Sequence, residues 1–170
     1  MTLWYAIPAV ERVRGTLSEL SRAGDRLAEL FEDLSNWERL WRPDPGAWNC
    51  MGHLAHLVDV ELVYSVRIRS ALAEPGRRLE SFDAEAWVES QACQERTPED
   101  LLETFCLLRR GNLNVFSYLT EAQWEQVFLH PQRGPQTISQ ISKGLLAHDA
   151  QHLLELGRLS ELAREARRIA

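Results

Sequence analysis

His148 and His152 stand four residues apart in the stretch Ala147-His148-Asp149-Ala150-Gln151-His152-Leu153-Leu154. In a helix that spacing puts both imidazoles on one face, one turn above the other. The face is apolar: Ile138, Ile141, Leu145, His148, His152, Leu156 and Leu159 follow steps of three and four and trace a single buried seam. Two neutral imidazoles in the place of leucines need polar partners, or each costs about 1–3 kcal/mol. A shared metal ion satisfies both at once. The chain has five histidines, the others being His53, His56 and His130. His53 and His56 fall on a second helical segment, and one imidazole from that helix meeting the pair would make a facial set with open positions for water or substrate. Such a set suits zinc, nickel, cobalt or iron(II). The residues alone leave open which ion it is and whether the third ligand is His53 or His56. They also leave a bland alternative, buried histidines satisfied by hydrogen bonds in a core.

Other chemistries find less support. A ferritin-like di-metal site wants Glu-x-x-His motifs on two helices and further inward glutamates. The nearest approximation is Asp149-Ala150-Gln151-His152, and the first and third helices offer no inward carboxylate. Neither a nucleophile-elbow sequence nor a phosphate-cradling glycine loop is present. A net charge of −6 without a basic cluster argues against nucleic acid. The absence of a run of about 18 apolar residues argues against a membrane span. The opening Met1-Thr2-Leu3-Trp4-Tyr5 shows no secretory signal. The three cysteines, Cys50, Cys93 and Cys106, are odd in number and not closely paired, which points to reduced thiols in a cytoplasmic protein. Cys50 and Cys106 are expected in or near the core.

The elements that must position the histidines can be read from periodicity and punctuation. With 170 residues the chain suits one domain. The first helical pattern runs from about Pro8, a first-turn proline, to Leu34, through Val10, Val13, Leu17, Leu20, Gly24, Leu27 and Phe31. Trp37, Trp41 and Trp48 follow in a loop and should cap one end of the core. A second helix starts from an Asn49 cap and runs to about Glu74, apolar over so wide an arc that it should be central. A long connection then carries Phe82 and Trp87 as anchors, with a short helix between them. A third helix opens at Thr97-Pro98-Glu99-Asp100, with Asn112 as a structural polar residue on its seam. The stretch from Glu121 to Gln136 reads as irregular, and nothing in the chain shows the alternation of a half-buried strand. Thr137 caps a fourth helix that reaches about Arg168. The expected class is all-α, a four-helix bundle with long connections.

Taken together, these residues resemble the DinB/YfiT-like metalloenzymes. The similar pieces are Pro45-Gly46-Ala47-Trp48 leading into His56-Leu57-Val58-Asp59-Val60-Glu61; Phe82-Asp83 with Trp87; Phe105, Arg109, Leu119 and Trp124; His130-Pro131 with Gly134 and Thr137; and Ala147-His148-Asp149 with His152. They cover nearly the whole chain in order. The resemblance implies an up-down-down-up bundle, often a homodimer, with one divalent metal, zinc or nickel, on His56, His148 and His152. The distance from Trp48 to the histidine is what selects His56 over His53. It implies a transferase that moves a low-molecular-weight thiol, a co-substrate, onto a small electrophile. The alternatives are a metal-dependent hydrolase with bound water as nucleophile and a non-catalytic metal-binding bundle. In such a site the ion acts as a Lewis acid that lowers the pKa of a bound thiol or water. His130 would be an acid/base or a substrate contact, and Asp59 and Asp149 are candidates to orient the rings. Two positions depart from the family pattern. Gly52 replaces an acid that would complete a capping box, and Glu155 replaces a glutamine beyond His152.

Overall fold

A computed structural model describes residues 9–169, with side chains from Val13 onward. Pro8 and the Met1–Tyr5 stretch lie outside the described residues. The elements are α1 (Ala9–Ser21), α2 (Ala23–Glu32), α3 (Asn36–Leu40), α4 (Cys50–Ala73), α5 (Ala84–Ser90), a 3-10 turn (Cys93–Glu95), α6 (Pro98–Ser117), α7 (Glu121–Trp124), strands β1 (Val127–His130) and β2 (Gly134–Thr137), and α8 (Ile138–Ile169). The α1–α2 pair, α4, α6 and α8 are the four rods of a helical bundle. Among the described residues no helix is long and apolar enough to cross a membrane.

The helix starts follow the capping chemistry of their sequences. Asn49 Oδ1 accepts from Gly52 N–H at 2.9 Å, Thr97 caps α6 with Pro98 just inside, and Thr137 and Gln140 satisfy each other's backbone N–H groups at the start of α8. Gly52 has a packing reason for lacking a side chain. A Cβ there would come within 3.2 Å of Trp48 Cβ, so the glycine lets Trp48 fold down onto the first turn of α4.

Three expectations need correcting. The first pattern is not one helix but two, interrupted at Arg22. Just past the break, Gly24 lies so close to α6 that a Cβ would meet Cys106 Sγ at 2.6 Å. Just before it, the Leu20 carbonyl accepts a hydrogen bond from Arg109 at 2.9 Å. Nor is the Glu121–Gln136 stretch irregular. It holds α7 and an antiparallel hairpin in the register Val127↔Thr137 to His130↔Gly134, with Gly134 at φ +70° in the turn. The backbone at Gly76–Leu79 hydrogen-bonds along β1, so the two long connections are tied to each other. The cysteines also differ from expectation: Cys50 and Cys93 are buried and Cys106 is exposed.

Side chains pack in two large apolar clusters with a polar belt between them. One cluster joins Leu27 and Phe31 of α2, Met51 and Leu54 of α4, Leu101 and Phe105 of α6, and Leu156 and Leu159 of α8. The other joins Val13 of α1, Ile68 and Ala71 of α4, Phe116 of α6 and Ile138 and Ile141 of α8. The belt centres on Arg109. Its Nη1 donates to Asp149 Oδ2 at 2.7 Å and to the Leu20 carbonyl, while Nη2 donates to Glu61 Oε1 at 2.7 Å and Asp149 Oδ1 at 3.0 Å. Asn112 Nδ2 donates to Glu61 Oε2 at 3.0 Å and to its carbonyl, and Ser65 Oγ donates to Asn112 Oδ1. Burial works against the guanidinium charge, but the two carboxylates overcome it and hold Arg109 protonated.

One guanidinium thus bridges all four rods. Replacing Arg109 with Met strands two carboxylates in the interior, so urea denaturation of Arg109→Met should show a loss of about 3–5 kcal/mol. Adding Glu61→Leu and Asp149→Leu to the same chain should recover most of it. A loss below about 1 kcal/mol for the single variant, the range of exposed pairs, would show that the network does not bear on stability.

Candidate metal centre

The five histidines are gathered from three parts of the chain. The first turns of α4 present His53 and His56, the middle of α8 presents His148 and His152, and the end of β1 presents His130. His56 and His152 are buried and His53 and His148 half-buried. The α8 seam is displaced slightly from its expected line: Asp149 is buried more completely than His148, which stands at the margin between core and cleft.

His56, His148 and His152 each offer one nitrogen, and the three lie within 4.8 Å of one another. His56 Nε2 and His148 Nε2 are 3.1 Å apart. Two nitrogens bonded at about 2.0–2.1 Å to one ion stand about 2.9–3.4 Å apart at ordinary coordination angles, so this pair has the spacing of neighbouring ligands. The ring centroids are 4.4 Å apart for His148–His152, 4.9 Å for His56–His152 and 5.1 Å for His56–His148. A second group shares His152: His53 Nδ1 lies 3.0 Å from His152 Nδ1, and Glu155 Oε2 lies 3.3 Å from the latter and 3.6 Å from the former. The carboxylate thus lies along the Nδ1 edges of both rings.

Every imidazole is biased toward the neutral form that ligation requires. Burial, then the neighbouring rings of His148, His152 and His53, push His56 down to about 3. Burial and His152 push His148 and His53 down to about 4, and burial lowers His152 as well. The Nδ1 atoms of His56 and His148 are buried without a hydrogen-bond partner. Aromatic contacts hold the His56 ring instead, with Trp48 at 4.9 Å and Phe82 stacked at 6.3 Å. Trp48 also meets His53 edge-on at 5.4 Å, so of the three tryptophans it is the one that packs on the histidines. Trp37 and Trp41 pack on each other at 6.4 Å.

The carboxylates considered as ring partners have other bonds. Asp149 belongs to Arg109, and Asp59 Oδ2 accepts from Gln91 Nε2 at 2.8 Å. His130 Nδ1 accepts from the backbone N–H groups of Gln132 and Arg133 at 3.2 and 3.3 Å. Its neutral ring therefore carries the proton on Nε2. Burial, Arg67 and Arg133 lower its pKa.

His56, His148 and His130 open onto a cleft of about 230 Å³ that Tyr64, Arg67, Phe82 and Arg133 also line. Sequence reasoning passed over Tyr64, Arg67 and Arg133. The signal for the first two was available, since His56, Val60, Tyr64 and Arg67 share one helical face. Arg133 reaches the cleft only through the hairpin. On the far side of the histidines a second opening, about 300 Å³, is lined by Trp48, His53, Glu155 and Arg158.

The fold has counterparts among known proteins. A curated Oceanobacillus iheyensis protein named Putative metal-dependent hydrolase OB0413 is 25% identical over 150 residues, covering 86% of this chain and 84% of its own. The structure of YfiT from Bacillus subtilis, described as a probable metal-dependent hydrolase with an unusual four-helix bundle topology, superposes with a TM-score of 0.84 at 19% identity, covering 95% of this chain and 92% of that one. A mycothiol-dependent maleylpyruvate isomerase shares the fold at a TM-score of 0.65 and 16% identity, with this chain covered over 92% and that longer chain over 64%. The family model of the DinB superfamily matches residues 19–156, a span that contains all five histidines, and the chain belongs to that superfamily.

Proposed function

We propose that this protein is a divalent-metal-dependent hydrolase of a small organic substrate, holding its ion on His56, His148 and His152. The observation that carries the reading is the convergence of three neutral imidazole nitrogens, two of which, on His56 and His148, line a cleft and stand at the spacing of shared ligation. The residues fit a borderline-soft ion, because the donor set is all nitrogen, buried and deprotonated. When bound there, the cation supplies Lewis acidity and lowers the pKa of water or a thiol. Metal-dependent hydrolysis is also what the names of the Oceanobacillus relative and of YfiT say of those proteins. An up-down-down-up order agrees with the apolar clusters, where the starts of α4 and α6 meet the ends of α2 and α8.

The chain's own residues divide the remaining work. Trp48 and Phe82 hold the His56 ring, and Glu155 lies against the Nδ1 edge of His152. His130 holds a proton on Nε2 at the cleft, where it can be given to a leaving group. This reading gives Asp59, bonded to Gln91, no proton to move. The second reading is transfer of a low-molecular-weight thiol to an electrophile at the same centre. The thiol dependence of the maleylpyruvate isomerase that shares the fold favours it.

Elemental analysis of purified protein should find a single divalent ion per chain, lost in His56→Ala and His148→Ala and kept in His53→Ala. Loss in His53→Ala with retention in His56→Ala would move the centre to His53, His152 and Glu155. Loss in none of them would remove the metal reading. Turnover of an ester and amide panel without added thiol supports hydrolysis, and turnover only with thiol supports transfer. His130→Gln should keep its ion and lose about 10²-fold or more in kcat; unchanged kcat would take the proton away from His130.

The depressed imidazole pKa values also predict a pH dependence for metal-free protein. The folded state holds these rings neutral below the ordinary value of 6.5, whereas unfolded chains protonate there, so their contribution to stability is full above about pH 6.5 and is lost as pH falls through about 4 to 3. Thermal melts after chelation should fall over that window, and less steeply for His56→Leu/His148→Leu. Parallel curves for the two proteins would contradict the assignment.

A further inference from the structure

Arg67 is a buried cation without an acid. Its side chain is 8% exposed. Nη2 donates to the Glu80 carbonyl at 2.8 Å, but Nε is buried with no partner, and no carboxylate among the described residues forms an ion pair with it. Arg109, the other arginine buried to this degree, shares the partnerless Nε but has two carboxylates, and that is the difference between them. The Arg67 charge meets only the Tyr64 ring, 5.7 Å from Cζ, among the described contacts; a buried guanidinium without a carboxylate is costly, and its free donor directions are those that match a planar or tetrahedral oxyanion. Arg133 lines the same cleft from the hairpin turn, as do His56 and His148. Arg67 also borders an adjoining apolar groove of about 400 Å³ walled by Leu62, Val63, Val66, Leu79 and Trp87.

We propose that Arg67, with Arg133 across the cleft, is the oxyanion-recognition site of the substrate, which is an organic anion whose apolar body lies in the adjoining groove. The inference takes the histidine cluster as the reactive centre and adds the class of molecule brought to it. The anionic group is a carboxylate or a phosphate ester, chemistries that a guanidinium binds alike.

The test uses the full chain after chelation, so that no metal contributes, and titrates acetate, hexanoate and inorganic phosphate calorimetrically at low ionic strength. Hexanoate should bind more tightly than acetate, and Arg67→Met should weaken it by about tenfold or more, a loss of about 1.4 kcal/mol. Arg67→Lys should recover only part of the affinity. Equal affinity in Arg67→Met and the parent, or no binding of any of the three anions to the parent, overturns the proposal. Acetate and hexanoate binding equally removes the groove from it, and phosphate exceeding both makes the group a phosphate. If Arg67→Met does not fold by circular dichroism, Arg133→Gln decides: a weakening of several-fold supports the site, and unchanged affinity overturns it. Metal content of Arg67→Met is measured alongside. Anion binding in a protein that takes up no ion leaves this site standing without the hydrolase reading, and an ion retained without anion binding does the reverse.

Discussion

One guanidinium holds the four rods in a common register. Arg109 on α6 meets Glu61 on α4, Asp149 on α8 and the carbonyl of Leu20 at the end of α1, and no apolar contact in the bundle joins the helices at comparably directional points. A buried network of this kind adds little net stability over well-packed apolar residues of the same volume. What it adds is direction. Each carboxylate oxygen and each of the two Nη nitrogens must find its partner within a few tenths of an ångström, and the rotation of each helix about its axis follows.

That rotation places the histidine cluster. Asp149 sits directly after His148 and three residues before His152, so anchoring Asp149 to Arg109 turns the neighbouring stripe of α8 toward α4. The stripe then falls where the rods stop being core: His152 lies inside, His148 lies at the margin, and the cleft begins beyond it. Trp48 closes the other flank, and it can do so because Gly52 leaves room on the first turn of α4. Two positions that look like weaknesses in the sequence, a helix start without an acid and an ionised residue inside a seam, are therefore the positions that orient the imidazoles.

The rods, their caps and the histidine face were legible because each depends on local rules: a three-four rhythm, an Asn or Thr followed by backbone donors, and imidazoles where leucines belong. The break at Arg22 was not legible, because its neighbours keep the apolar rhythm. What marks it is the meeting of Gly24 with Cys106 and of the Leu20 carbonyl with Arg109, both contacts between distant parts of the chain. The hairpin was missed for a related reason. Its strands are four residues long, and only Phe128 in β1 is buried, too short a run for alternation to register. Glu61 and Arg109 were visible as residues but not as partners, since pairing across helices leaves no spacing signature. Arg67 was hidden by its own chemistry, because an arginine on a helix is ordinarily a surface residue.

The arrangement along the bundle axis explains how such a polar interior is tolerated. Apolar clusters occupy both ends, one around Leu54, Phe105 and Leu156 and the other around Ile68, Phe116 and Ile138. Between them Leu20, Val60 and Leu145 form a small third cluster, and the Arg109 network lies at that level, with the α4 imidazoles beside it on the turns that also carry Leu54 and Leu57. Hydrophobic burial at the ends supplies the folding free energy, which frees the middle layer from close apolar packing. Beside that layer α4 and α8 are flanked by the Phe82 connection and the hairpin, so the His56 and His148 nitrogens stand next to an opening. Rigid ends and a polar, accessible waist are what a reactive centre in a helical bundle requires: ligands held to fractions of an ångström by elements that do not themselves have to move.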